Sequence, residues 1–436
     1  MNLKKWGILG LAGALVLSSA VSAKAFQVKV DEDTFADIGF QVRVNYLNQP
    51  EDKDHDYRWN RFQVTKYRIF SIGQINKLVQ YYAMVDANYN SQTYQNEAKL
   101  WEGGVQLTFA PEFILKMGKL RVPFSRNNLR ARFVSPVMSS SGNFFIPNQF
   151  KEALKAVNPY PGGYKDSDPF KRTDFGVVLA GYIKNGLFKY YVSLFNEDRS
   201  NATKVWKLSK GWVDANTIKT SEDKKSFEYD IRIEFTPTFW GFNSEKTVFK
   251  PHQREAETYL GKLDFMTIGL GYHHEKHLDG LDKATYGTSD LERDAWAADI
   301  AFEKTFSKKY IIGGETGYMY FDDTHLYETS NGQYKKGDVW TWYISGHFTY
   351  GEKIGMGYPG IGFRYEYINI DGKYNNEDDL VYDRYGLCFN YWFTRSTRIA
   401  VGVDFMKAKD ALEKYFEDNN WDDSTTNWYV GVYAQF

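Results

Sequence analysis

The chain predicts an all-β fold, a transmembrane antiparallel β-barrel of about sixteen strands. Three observations carry that expectation. At the C-terminus Trp428, Val430, Val432, Ala434 and Phe436 share one side of an extended strand, and Tyr429, Gly431, Tyr433 and Gln435 share the other. An apolar side, a more polar side and a final aromatic describe the closing strand of an outer-membrane barrel. The competing reading is an edge strand of a soluble sandwich. At the N-terminus Lys4 and Lys5 precede an apolar run from Ile8 to Val21, with Ala23 and Ala25 at small-residue positions. Residues 1–25 therefore read as a secretory signal peptide, cut after Ala25. The run is shorter than the roughly 20 residues of a helical span, so 26–436 is expected to form the barrel. Third, aromatics make up 18% of the chain (33 Tyr, 32 Phe, 12 Trp), yet mean hydropathy is -0.54. Many aromatics in a polar chain suit an apolar outer band, two aromatic girdles and a wet interior.

Charge and cysteine usage narrow the function classes. Losing Lys4, Lys5 and Lys24 with the signal takes the 54 basic residues to 51 against 55 acidic ones, a net of -4. That balance predicts no nucleic-acid partner. The lone Cys388 excludes an intramolecular disulfide in an exported chain.

Strands are expected, in order, near 37–47, 60–72, 77–89, 98–109, 112–123, 173–184, 187–197, 226–236, 262–275, 294–304, 308–321, 338–350, 358–371, 382–393, 397–407 and 426–436. The clearest is the eighth. Phe227, Tyr229, Ile231, Ile233 and Phe235 alternate with Glu228, Asp230, Arg232 and Glu234. Trp340, Trp342, Ile344 and Phe348 form a similar row, as do Ile361, Phe363, Tyr365 and Tyr367, with Arg364 and Glu366 between them. Two more run Tyr385, Leu387, Phe389, Tyr391, Phe393 and Ile399, Val401, Val403, Phe405. Tight turns at 110–112, 184–186 and 394–396 alternate with longer polar segments such as 51–56, 375–379 and 417–424. Short periplasmic turns alternating with longer outer loops are the barrel pattern. Residues 237–261 break it. They should be a periplasmic turn, but they are long and carry Trp240, Pro251 and many charges. Either the turn is unusually large or the strand count slips there.

The longest interruption, 124–171, should be the third outer loop. It holds seven basic residues (Arg126, Arg130, Arg132, Lys151, Lys155, Lys165, Lys171) against Glu152, Asp166 and Asp168. It also holds order-promoting residues such as Phe133, Phe144, Phe145, Pro147, Phe150, Pro159 and Pro161. A loop of this length is functional or disordered. Folded against the inside of the wall it would constrict the pore, and clustered cations there would select anions. The alternative is an ordered lid over the outer mouth.

One stretch carries a family resemblance. Met117-Gly-Lys-Leu-Arg-Val-Pro-Phe124 precedes the loop and Lys171-Arg-Thr-Asp-Phe-Gly-Val-Val178 follows it. The pair resembles the phosphate-selective porin O/P family, with its Gly-Arg-Phe-Lys-Val-Pro-Phe-Gly-like stretch before the constriction loop and Arg-Asp-x-Gly-Val-like stretch after it. Lys119, Leu120 and Arg121 stand where the family has Arg, Phe and Lys. Ser125 replaces its Gly, and Thr173 separates Arg172 from Asp174. Tyr190 to Asn196, ending Leu-Phe-Asn, resembles the family's next strand. The likeness is best over 58–200. It implies a sixteen-stranded, homotrimeric, anion-preferring pore in the outer membrane, in contact with its lipid and needing no cofactor. Phosphate or similar oxyanions are within that class.

The candidate pore cations are Lys119, Arg121, Arg126, Arg130, Arg132 and Arg172, with Arg43 and Arg68 as lesser candidates. Sidedness is uneven. Lys119 and Arg121 share parity with Phe113, Leu115 and Met117, which a bulge near Gly118 would reconcile. Lys66 and Arg68 share parity with Phe62, Val64 and Phe70, whereas Arg43 sits between outward Val42 and Val44. Glu228, Asp230, Glu234, Glu315 and Glu366 should also face the lumen and could neutralise the wall. His273 and His277 share a face but lie about 13 Å apart, too far for one metal ion, so the histidines read as solvated rim residues. Passive or selective diffusion of small anions or other hydrophilic solutes is the expected function. The alternative is a non-transporting barrel, a hydrolase or a surface receptor.

Overall fold

The computed structural model describes residues 26–50, 58–90, 95–131, 135–137, 172–196, 204–208, 211–214, 227–252, 254–279, 281–375 and 377–435. A short strand β1 (Phe26–Lys29) precedes the wall. The first half of the wall comprises β2 (Phe35–Pro50), β3 (Arg58–Gln74), β4 (Val79–Asn90), β5 (Gln95–Ala110), β6 (Phe113–Arg121), β7 (Thr173–Ile183) and β8 (Phe188–Asn196). Two short strands, β9 (Lys204–Lys207) and β10 (Gly211–Asp214), form a hairpin outside it. The second half comprises β11 (Phe227–Phe235), β12 (Phe265–Asp279), β13 (Asp290–Phe306), β14 (Tyr310–Glu328), β15 (Tyr334–Tyr350), β16 (Tyr358–Tyr374), β17 (Glu377–Thr394), β18 (Thr397–Lys409) and β19 (Ser424–Gln435). The wall thus has sixteen antiparallel strands, each in the order the sequence predicts. β8 pairs directly with β11, and β19 closes on β2 from Trp428↔Asn48 to Gln435↔Gln41.

Alternation decides which face meets lipid. Phe227, Tyr229, Ile231 and Ile233 are exposed on the outside of β11, while Glu228, Asp230, Arg232 and Glu234 are buried inside. A closed ring satisfies every ladder hydrogen bond without water, which a bilayer demands. Outward aromatics touch from strand to strand: Tyr272 with Trp296 at 4.5 Å, Trp340 with Tyr367 at 5.0 Å, Trp342 with Tyr365 at 5.0 Å and Tyr365 with Tyr385 at 4.9 Å. This is a girdle. At the outer mouth the helix Asp410–Asp418 buries Ala411, Leu412 and Phe416. Its Tyr415 meets Trp206 of the β9–β10 hairpin at 5.1 Å.

Segment 237–261 is a large turn, and the strand count holds. Between β11 and β12 it makes 3-10 turns at Thr238–Trp240 and Thr247–Phe249 and folds into the lumen. There it meets the start of the third outer loop. Glu255 N–H donates to the Leu129 carbonyl at 3.0 Å, and Ala131 N–H to the Glu255 carbonyl at 2.5 Å. The described part of the loop, 122–131 and 135–137, runs through the barrel interior. Val122, Phe124 and Leu129 are buried, and Asn390 on β17 donates to the Pro136 carbonyl at 2.8 Å. The Phe124 carbonyl would lie 1.8 Å from a Cβ at position 271, so only glycine fits on β12 there. Residues 1–25, where a signal peptide is expected, Arg132, residues 138–171 and Phe436 lie outside the described residues.

Candidate functional site: a cation-lined cavity in the lumen

The inward segments divide the interior into two electrostatic regions. The first is a charge-paired block against β8 and β11–β15. The helix Arg126–Leu129 starts at Ser125, whose Oγ caps Asn128 N–H. Arg126 emerges into three carboxylates, Glu245 at 2.6 Å, Glu255 at 2.8 Å and Glu315 at 3.3 Å. Arg130 meets Glu257 at 2.6 Å and Glu315 at 3.4 Å. Arg232 binds Asp299 at 2.7 Å and Glu234 at 2.8 Å, and Lys189 adds a contact to Glu234. Burial opposes the charge on Glu245, but Arg126 outweighs it and holds the carboxyl below its ordinary value. Glu255 is pushed well above its ordinary value by burial and then by Glu234. These groups hold the loop and turn together.

The second region is a cavity of about 220 Å³ between the inward segments and β2–β6. Eight cations line it: Arg43, Lys66, Arg68, Arg121, Arg172, Lys250, Arg254 and Arg395, with His252 among them. None of its described lining residues is acidic. Two carboxylates stand behind the cations. Asp86 holds Arg68 at 2.6 Å and Lys66 at 3.5 Å; Glu102 holds Arg121 at 2.9 Å and Arg254 at 3.2 Å. The surplus is strongly positive. Trp101 forms part of the wall, with Arg68 4.6 Å and Lys66 5.2 Å from its ring centre. Arg43 lies 5.6 Å from the Tyr433 ring centre.

Local geometry explains the positions of Lys66, Arg68, Arg121 and Arg172. The β2–β3 register skips Thr65, between Arg43↔Lys66 and Val44↔Val64. That bulge leaves Phe62 and Val64 outward and turns Lys66, Arg68, Phe70 and Ile72 inward. The ambiguity of this strand in the sequence therefore has a physical cause. Arg121, the last residue of β6, swings inward and donates to the carbonyls of Asn128, Leu129 and Arg130. Arg172 reaches the carbonyls of Asn128 and Arg130. Both satisfy acceptors that the end of a helix leaves open.

Three sequence expectations need correction. Lys119 does not face the lumen. The bulge near Gly118 that would have reconciled the two halves is absent, since the β6–β7 ladder runs unbroken from Ile114 to Arg121. Gly118 instead takes φ +139°. Lys119 stays on the outer side, its Nζ on the Leu100 carbonyl at 3.0 Å and 5.6 Å from the ring centre of outward Phe175. Arg126 and Arg130 do enter the lumen, but carboxylates neutralise them there. Glu315 was foreseeable; Glu245, Glu255 and Glu257 come from the large turn. His273 is no solvated rim residue, for it is buried inside the wall.

Lys250, His252, Arg254 and Arg395 were not singled out from sequence. The signal was the alternation Lys250, His252, Arg254 inside the segment whose length broke the turn pattern. Burial, and then Arg254, hold His252 well below the ordinary imidazole value. Burial works against Arg254, but Glu102 raises it. Burial, then Arg395, lower Lys250.

No known protein-family profile matches the chain. An uncharacterized protein of Aquifex aeolicus (strain VF5) is 25% identical over 314 residues, 70% of this chain; the chain spans 63% of that relative's length. Among solved structures, the outer membrane channel DcaP of Acinetobacter baumannii aligns with TM-score 0.52 at 10% identity, over 94% of this chain and 100% of that one. The anion-selective porin from Comamonas acidovorans aligns with TM-score 0.51 at 9% identity, over 92% and 100%. At these identities the likeness is one of fold: a porin-like barrel of the bacterial outer membrane.

Proposed function

We propose that this outer-membrane barrel is an anion-preferring channel for small hydrophilic solutes. The observation that carries the reading is the cavity whose described lining presents eight cations and no carboxylate. A passing ion close to that wall sheds part of its hydration, and fixed charges at a few ångströms then act strongly on it. Carboxylates farther from the ion than a Debye length of about 8 Å are mostly screened. A sixteen-stranded wall is wide enough to leave an aqueous path. The Comamonas relative in fold is itself named an anion-selective porin, and the family resemblance around Met117–Phe124 extends the reading to phosphate and similar oxyanions. Three copies per assembly are expected on the same resemblance.

The test is the reversal potential of single channels across a potassium chloride gradient. Chloride preference is expected at 0.1 M, reduced when Lys66, Arg68 and Lys250 are replaced together by Gln. A wild-type channel that prefers potassium would end the proposal. Added phosphate should reduce the chloride current in the wild type more than in that triple variant. Native mass spectrometry of the detergent-solubilised protein reports the copy number.

A further inference from the structure

The lumen wall holds a second group of side chains, away from the cation-lined cavity. Asp230 on β11 pairs in register with His273 on β12. Glu228 lies two residues before the one, and Glu275 two residues after the other, so all four point inward. One oxygen each of Glu228 and Glu275 and one ring nitrogen of His273 lie within 4.8 Å of one another, all buried. We propose that Glu228, His273 and Glu275 form a binding site for a divalent transition-metal ion of the zinc type.

Three observations converge on it. The donors are one imidazole and two carboxylates, a nitrogen and oxygen set suited to Zn2+ with a fourth position open to water or solute. His273 is oriented from behind. Its Nδ1 is 2.8 Å from Asp230 Oδ1, and the other Asp230 oxygen accepts from Ser193 Oγ at 2.8 Å. A carboxylate on Nδ1 fixes the proton there and directs the Nε2 lone pair the other way, the arrangement that supports metal-bound histidines. Nε2 faces Glu275 Oε1 at 3.6 Å. Finally, Glu228 is 2% exposed and its Oε1 has no hydrogen-bond partner among the described residues. A buried carboxylate oxygen left so is costly, and a cation among the three ligands satisfies it. Arg293 on β13 binds Glu275 and balances one carboxylate. The site escapes a reading of histidine spacing because its ligands come from two strands.

The experiment uses the full barrel in detergent, stripped with chelator and titrated with ZnCl2 by calorimetry at pH 7.5. Co2+ absorption serves as a second readout, and heat-modifiable gel mobility shows that each variant is folded. One Zn2+ per chain is expected, with an intense visible Co2+ band. Glu228→Gln should abolish both. Asp230→Asn should weaken Zn2+ binding by about 10- to 100-fold. No stoichiometric Zn2+ binding by the folded wild type, or full binding by folded Glu228→Gln, would overturn the proposal.

Discussion

Arg126 and Arg254 carry the same charge in the same lumen, yet their surroundings predict opposite phenotypes. Arg126 is enclosed by Glu245, Glu255 and Glu315. Arg126→Met leaves those carboxylates buried without it, a loss of about 3–5 kcal/mol. The barrel should unfold at lower urea concentration, with little change in reversal potential per folded channel. Arg254 borders the cavity and shares Glu102 with Arg121. Arg254→Gln should move the reversal potential towards potassium while the urea midpoint shifts less than for Arg126→Met. His252 adds a pH dependence. Its folded pKa lies well below the ordinary 6.5, so the unfolded chain takes up a proton first as pH falls. Stability is therefore intact above about 6.5 and declines as pH drops towards the folded value. Melting temperatures at pH 8 and pH 5 should differ more in the wild type than in His252→Gln. At this scale the sequence showed the cations and Glu315, but not the other partners. Arg126 and Arg68 look alike on the chain; what separates them is which carboxylates the fold brings within 3 Å or so, and those lie far away in sequence.

The elements were far more legible. Each wall strand is dictated by its own alternation, because lipid on one face and lumen on the other impose a period of two. The β11 pattern, five apolar groups against four charges, needs no partner to be read. The turn from β11 to β12 is different in kind. Its shape depends on contacts with Arg126, Arg130 and Lys116, whose Nζ donates to the Lys250 carbonyl at 2.9 Å, and no local period encodes these. Only its length and charge marked it out. Since the turn supplies Lys250, His252 and Arg254 to the cavity, replacing residues 243–260 with a short glycine-rich turn should raise single-channel conductance and reduce chloride preference together. An unchanged conductance in a correctly assembled barrel would show that the turn does not border the conducting path. Gly271→Ala on β12 is a smaller version of the same test on the outer loop. A methyl there collides with the Phe124 carbonyl, and overpacking of this kind costs about 1–3 kcal/mol, read as a lower melting temperature.

For the whole molecule, the net negative charge of the chain and the positive cavity coexist because screening makes electrostatics local. Raising salt from 0.1 M to 1 M shortens the Debye length from about 10 Å to about 3 Å, so chloride preference should weaken over that range without vanishing, the cavity charges being nearest the ion. Both measurements come from one bilayer experiment. The inward run of the third loop has a further, mechanical meaning. It leaves the wall at β6, rests its Phe124 carbonyl against Gly271 on β12 and ties Pro136 to Asn390 on β17. A hollow ring of strands resists stretching through its hydrogen bonds but bends easily, and lateral pressure in a bilayer would flatten it. With contacts at Gly271 and Asn390, the described parts of the loop would act as a spoke against such flattening. Cutting the tie with Asn390→Ala should leave the mean current nearly unaltered and increase its open-channel noise, the electrical trace of a wall free to breathe.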